Sequence, residues 1–202
     1  MPRHPDPDLE NRILNAAQVL WKRGGEKSLT MRAVARAAGT NTPAVYRRFK
    51  DRGDLVRALI RRIQEDLRGH LQAGESLEGM AEAYMEYALR HPNEYDLFYT
   101  HARELLPRKG SGRLQAIREL RPNVGLVENQ LAKRLGGAAS DHTRLALALW
   151  ATVHGASSML LSRAIPEGHE EELRIACRTA VSTLLEGADR FPEKNGSKHR
   201  AR

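Results

Sequence analysis

Leu29-Thr30-Met31-Arg32-Ala33-Val34-Ala35-Arg36-Ala37-Ala38-Gly39-Thr40-Asn41-Thr42-Pro43-Ala44-Val45-Tyr46-Arg47-Arg48-Phe49 holds two short helical patterns divided by a glycine. Thr30 has the chemistry of an N-cap, because its hydroxyl oxygen can accept a backbone N–H of the first turn. Met31, Val34, Ala35 and Ala38 then fall on one face, and Gly39 ends the pattern. Thr42 is expected to cap the next helix, with Pro43 at its first position, where no backbone donor is lost. Val45 and Phe49 stand four apart and are expected to face inward. Two short helices joined by a glycine-containing turn, with longer helices on either side, have the build of a helix-turn-helix.

The flanks supply those longer helices. Upstream, Leu9, Ile13, Ala16, Ala17, Leu20 and Trp21 recur at three- and four-residue steps, predicting a helix from Asp8 to Lys22 that Gly24-Gly25 stops. Downstream, Asp51 can cap a helix carrying Leu55, Val56, Leu59, Ile60, Ile63 and Leu67. Beyond residue 72 the period stays helical. Ser76 caps a stretch to Leu89, Pro92 opens another to about Pro107, and Pro107–Gly112 reads as a loop. Leu114–Leu135 is periodic, with Pro122 expected to kink or split it. Asp141 is expected to cap a long helix to Arg163, and a last helix follows Pro166-Glu167-Gly168 to about Ala188. No strand pattern appears, so the expected class is all-α. The expected domains are a helix-turn-helix unit over 8–55, a second helical bundle over 56–190, and a disordered polar tail over 191–202.

Charge points to a partner for the first third. Residues 1–70 carry 15 Lys and Arg against 8 Asp and Glu, whereas residues 71–188 carry 13 against 15. A basic front and a near-neutral body suit a polyanion held by the front. The single Cys177 excludes an internal disulfide, and the N-terminus has no apolar signal segment, so the cytoplasm is the expected compartment. The longest uncharged run, between Arg144 and Arg163, is broken by Thr152, His154, Gly155 and serines, and no membrane span is expected there. The histidines lack metal-ligand spacing, and neither a Gly-x-Ser-x-Gly elbow nor a phosphate-binding glycine loop occurs. No catalytic residue, cofactor or metal is therefore expected.

The residues from Ile13 to Ile60 resemble the TetR family of transcription regulators. The resemblance is carried by Ile13-Leu14-Asn15-Ala16-Ala17, by Leu29–Ala35, by the Ala38-Gly39 turn, by Thr42–Phe49 as recognition helix, and by Arg52 and Leu55. Trp150 followed by His154-Gly155 is similar to the C-terminal domain of one subgroup. The recognition helix is expected to present its first residues to base edges in the major groove. Thr42 would hydrogen-bond there, and Pro43 and Ala44 would offer apolar surface to a thymine methyl. Arg47 reaches either a guanine edge or a phosphate. Tyr46, Arg48, Lys50 and Arg52 resemble the family's backbone-contacting positions, and Thr30 and Arg32 flank the positive end of the second helix, a further phosphate site.

Half of the ten aromatic residues fall between Tyr84 and Tyr99. Tyr84, Tyr87, Tyr95, Phe98 and Tyr99 either line an apolar cavity or form the core of a bundle. The resemblance implies a small apolar or aromatic effector there, with Val124, Val127, Trp150 and His154 on the other walls. It also implies a homodimer through the helices at 141–163 and 168–188. Ala146, Ala148, Ala151, Gly155 and Ala156 would permit close approach, while Leu147, Leu173, Ala176, Ala180 and Leu184 would supply apolar contact. The implied partners are thus an inverted-repeat DNA duplex, a second copy of the chain and an effector.

Overall fold

In the computed structural model, residues 8–101 and 121–191 are described. The described residues form nine α-helices and two short 3₁₀ turns, with no strand among them. The helices are α1 (Leu9–Ser28), α2 (Met31–Ala37), α3 (Thr42–Arg48), α4 (Arg52–Ala73), α5 (Leu77–Arg90), α6 (Pro92–Thr100), α7 (Pro122–Leu135), α8 (Thr143–Leu161) and α9 (Glu170–Glu186). The expected loop Pro107–Gly112, the start of the Leu114–Leu135 stretch and the tail beyond Phe191 lie outside the described residues. No described helix is long and apolar enough to cross a membrane.

The helices group into two compact units, one of residues up to Asp66 together with those from His91, the other of Leu67–Arg90 together with the residues after 106. The expected boundary at residues 55 and 56 falls inside α4, a single unbroken helix. The α6 segment groups with the residues of the helix-turn-helix.

In the first unit the apolar periodicity closes a core. Ile13, Ala17 and Trp21 of α1, Val34 and Ala35 of α2, Val45 of α3 and Leu55, Val56, Leu59 and Ile60 of α4 are all buried. Each of the larger side chains contributes roughly 1.5–3 kcal/mol of transfer free energy. α1 reaches beyond its expected end, although Gly25 breaks its helical geometry at φ 57°. Its C-terminal residues carry Glu26, which matters below. α6 packs along α1, and its N-terminal turn is anchored by polar contacts. The Trp21 indole N–H donates to the Asn93 carbonyl at 2.7 Å. The buried carboxylate of Glu94 accepts from Gln18 at 2.8 Å and lies 3.4 Å from the Lys22 ammonium.

The second unit packs α5, α7 and α9 against α8. Leu145, Ala146, Leu149, Val153 and Ala156 give α8 its inward stripe. The expected cap Asp141 sits instead inside a 3₁₀ turn, where it accepts from the Ala138 N–H at 2.8 Å. α8 starts two residues later at Thr143, whose hydroxyl donates to the buried Glu128 of α7. Ser76 caps α5 as expected, accepting from Gly79 N–H at 3.0 Å. That entry is so tight that a Cβ on Gly79 would stand 2.0 Å from the Gly74 carbonyl oxygen.

Candidate nucleic-acid interface

The α2–turn–α3 segment follows its sequence closely, with one shift. Thr30 caps α2, accepting from Ala33 N–H at 3.1 Å. After Ala38 the chain turns through Gly39 at φ 65°, a left-handed conformation that glycine adopts without cost. The Thr40 N–H then returns to the Ala35 carbonyl at 2.9 Å and the Gly39 N–H to Arg36 at 3.3 Å, closing the end of α2. α3 is capped by Asn41, whose side-chain oxygen accepts from Ala44 N–H at 2.9 Å. Thr42, expected as the cap, is thus the first helical residue and Pro43 the second. An asparagine cap satisfies the same orphan donors, and the Thr42 hydroxyl is left free of that duty.

Burial sorts the expected contacts. Ala44 is 4% exposed and Val45 0%, so α3 turns both against the core. That burial leaves the Ala44 methyl group little surface for the thymine-methyl contact expected of it. Tyr46 is 50% exposed, the largest apolar surface on this helix, and Pro43, Arg47, Arg48 and Lys50 are exposed with it. Lys50 N–H is held by the Asp54 carboxylate at 3.2 Å, and Asp51 caps α4 by accepting from Asp54 N–H at 2.7 Å.

Arg32 is exposed on α2, and so is Arg36 one turn later. The four-residue offset of Arg36 from Arg32 places both on one helical face. Arg52 is differently placed. Its Nε donates to the Leu29 carbonyl at 3.1 Å, and one terminal nitrogen lies 3.1 Å from a Glu26 carboxylate oxygen.

The candidate effector residues divide between the units. Tyr84, Tyr87, Val124, Val127, Trp150 and His154 belong to the second, and Tyr95, Phe98 and Tyr99 to the first. In the first unit the Tyr95 and Tyr99 ring centroids are 4.7 Å apart, with Phe98 at 5.2 Å from Tyr99. In the second, the Tyr84 hydroxyl stands 3.5 Å from His154 Nδ1, and Trp150 stacks on His154 at 5.4 Å. The Arg121 guanidinium lies 5.6 Å above the Trp150 ring. Burial, and secondarily the Arg121 charge, hold His154 below the usual histidine range. Tyr87 is buried and meets the His70 ring edge-on at 5.0 Å.

A groove of about 240 Å³ opens elsewhere in this unit, between α5 and α9, and none of the expected effector residues lines it. Cys177 borders it with its thiol raised above the usual range by burial and by the Glu82 carboxylate, which makes it a poor nucleophile.

With this geometry in place, likeness to known proteins becomes informative. Residues 13–59 match the family model described as bacterial regulatory proteins of the tetR family, and residues 77–184 match the tetracyclin repressor-like C-terminal domain. Over 140 residues, 66% of this chain and 51% of the relative, it is 29% identical to the HTH-type transcriptional repressor DrrR1 of Streptomyces coeruleorubidus. It is 34% identical over 93 residues, 43% of each chain, to an uncharacterised HTH-type transcriptional regulator of Mycobacterium tuberculosis. The chain thus spans about half the length of the curated relatives it matches. A crystal structure of a protein of unknown function from Rhodococcus sp. RHA1 has the same fold, with TM-score 0.67 and 22% identity over 93% of this chain and 98% of that one. A TetR-like transcriptional regulator from the same organism aligns at TM-score 0.55 and 18% identity, covering 93% and 99%. The two family matches together span most of the described helices, and the chain belongs to the TetR family of DNA-binding transcription regulators.

Proposed function

We propose that the chain acts as a homodimeric repressor on an inverted-repeat operator and is released from it by a small, largely apolar or aromatic effector. The observation that carries the DNA reading is the outward row on α3. Pro43, Tyr46, Arg47 and Arg48 are exposed and Thr42 is half-buried, beside a core that takes Ala44, Val45 and Phe49. In this reading Thr42 and Arg47 meet base edges, while Tyr46, Arg48, Lys50, Thr30, Arg32 and Arg36 meet phosphates. The experiment is selection of bound sequences from random duplex DNA by the purified protein. An enriched palindrome supports the proposal, and the absence of any motif sinks it.

The dimer reading rests on apolar surface left open on the last two long helices. Met159 on α8 is 42% exposed and Ile175 on α9 is 45% exposed, and Ala151 and Ala176 on the same helices are exposed too. Of the residues expected to line that interface, Ala146 and Ala156 are buried within the subunit, Leu147, Ala148, Gly155, Leu173, Ala180 and Leu184 are half-buried, and Ala151 and Ala176 are exposed. Two recognition helices would then meet successive major grooves roughly 34–36 Å apart.

The effector reading rests on the Tyr84–His154–Trp150 stack. A ligand acts by preferring one conformation over another, and a coupling of ~1–3 kcal/mol changes operator affinity about 5- to 150-fold. A regulator without an effector is the second reading. It is favoured by the near-complete burial of Tyr84 and Val124, at 6% and 4% exposure. Thermal-shift screening of aromatic ligands, followed by operator binding with each hit, separates the two.

A further inference from the structure

We propose that Arg52 is a positioning residue for DNA recognition rather than a phosphate contact, and that with Glu26 and His101 it forms a clasp that sets the aim of the recognition helix. The guanidinium is engaged in three directions. Nε donates to the Leu29 carbonyl at 3.1 Å, and a terminal nitrogen donates to the Glu26 carbonyl at 3.4 Å and to its carboxylate at 3.1 Å. All three acceptors lie on the last residues of α1 and on Leu29, which follows it. Arg52 is the first residue of α4, three positions after Phe49 closes α3. The clasp therefore joins the exit of the recognition helix to the entrance of the helix before it and closes the three-helix ring with a side chain.

The far oxygen of Glu26 extends the clasp to a third element. It lies 3.7 Å from His101 Nε2, at the C-terminal end of α6. The His101 ring in turn meets Trp21 of α1 edge-on at 5.8 Å. The Glu26 carboxylate thus faces both α4, through its hydrogen bond with Arg52, and the end of α6, through this longer approach to His101. A phosphate contact through Nε or that terminal nitrogen would cost Arg52 the Leu29 carbonyl or the Glu26 oxygens it now satisfies.

The Arg52 and Glu26 side chains are 38% and 54% exposed. An ion pair so open to water adds little to folding stability. Its effect lies in orientation, because a recognition helix held rigidly in its bound attitude loses less entropy on docking. The fork geometry of arginine is what reaches several acceptors at once; lysine keeps the charge and loses the fork.

Operator affinity of the full-length protein, measured as a function of salt, tests this. Arg52→Lys and Arg52→Gln should weaken binding to a similar extent, about 3- to 10-fold, the size of losing one or two modest hydrogen bonds. The slope of log affinity against log salt should stay at the wild-type value, whereas Arg48→Gln should reduce it by about 0.9, the release due to one phosphate. Glu26→Gln combined with Arg52→Gln should bind no more weakly than Arg52→Gln alone, because both break one clasp. His101→Ala should weaken binding without changing the slope. Wild-type affinity in Arg52→Lys, a reduced slope in Arg52→Gln, or additive losses in the double variant would each overturn the proposal. Circular dichroism melting shows whether each variant is folded. Should Arg52→Gln fail to fold, Glu26→Gln keeps the arginine charge and carries the test, and unchanged affinity in that variant overturns the proposal.

Discussion

Tyr46 and Val45 are neighbours on one helix and are predicted to fail in opposite ways. Val45 is 0% exposed and Tyr46 is 50% exposed. Val45→Ala deletes two buried carbons, about 1.6 kcal/mol at 0.8 per methylene, and a residual cavity raises the cost to roughly 2–3 kcal/mol. For a chain of this length each kcal/mol lowers the melting temperature by about 2–4 °C, so the expected drop is about 4–12 °C. Tyr46→Ala leaves no cavity, and its melting temperature should stay within about 2 °C, as for surface substitutions within 0.5 kcal/mol. On the proposed DNA reading, what it removes is a hydroxyl and an aromatic face presented to the duplex. The loss of one modest hydrogen bond, about 0.5–1.5 kcal/mol, weakens operator binding roughly 2- to 13-fold. Circular dichroism melts and fluorescence anisotropy on a labelled operator read the two quantities separately. The folded fraction of Val45→Ala should bind with near-normal affinity. The reasoning is refuted if Tyr46→Ala melts as early as Val45→Ala while binding DNA like the wild type.

Three further outcomes follow from other parts of the chain. Arg32→Ala and Arg36→Ala should each weaken operator binding and lower the salt slope by about 0.9, and an unchanged slope would remove that residue from the phosphate set. Ile175→Glu, made together with Met159→Glu, should convert a dimer into a monomer by sedimentation and abolish cooperative binding to both half-sites, because it places charge where the proposed interface would exclude water; a variant that remains dimeric moves the interface elsewhere. His154 has its folded pKa depressed by burial and by Arg121, so the unfolded chain binds its proton more readily. Its neutral form supports full stability above about pH 6.5, the unfolded value, and stability falls as pH drops from there towards the lower folded value. His154→Gln should flatten that part of the pH–melting curve, and an identical curve would show that another group sets it.

The sequence alone carried the local grammar of the DNA-binding unit. Thr30, Gly39, Asp51 and Ser76 were legible because caps and left-handed turns are decided by a few neighbouring atoms. The inward faces of α1, α3 and α4 were legible because apolar residues repeat with the helical period. Where two neighbours offered nearly the same chemistry, local reading slipped. Asn41 caps α3 ahead of Thr42, and Asp141 closes a 3₁₀ turn instead of opening α8. Everything that depends on a partner far along the chain was left to the tertiary structure. Ala44 has the size of a methyl-contacting residue, but the core claims it. Arg52 looks like another basic residue on a basic helix, and only folding brings Glu26 and the Leu29 carbonyl, 23 or more positions away, to its guanidinium. The aromatic residues of α5 and α6 are continuous in sequence, yet α6 packs along α1 in the first unit. Its Glu94 is buried there among Gln18 and Lys22, contacts that span more than 70 positions. Helical period shows which face of a segment is apolar, but it carries no information about which other segment will cover that face.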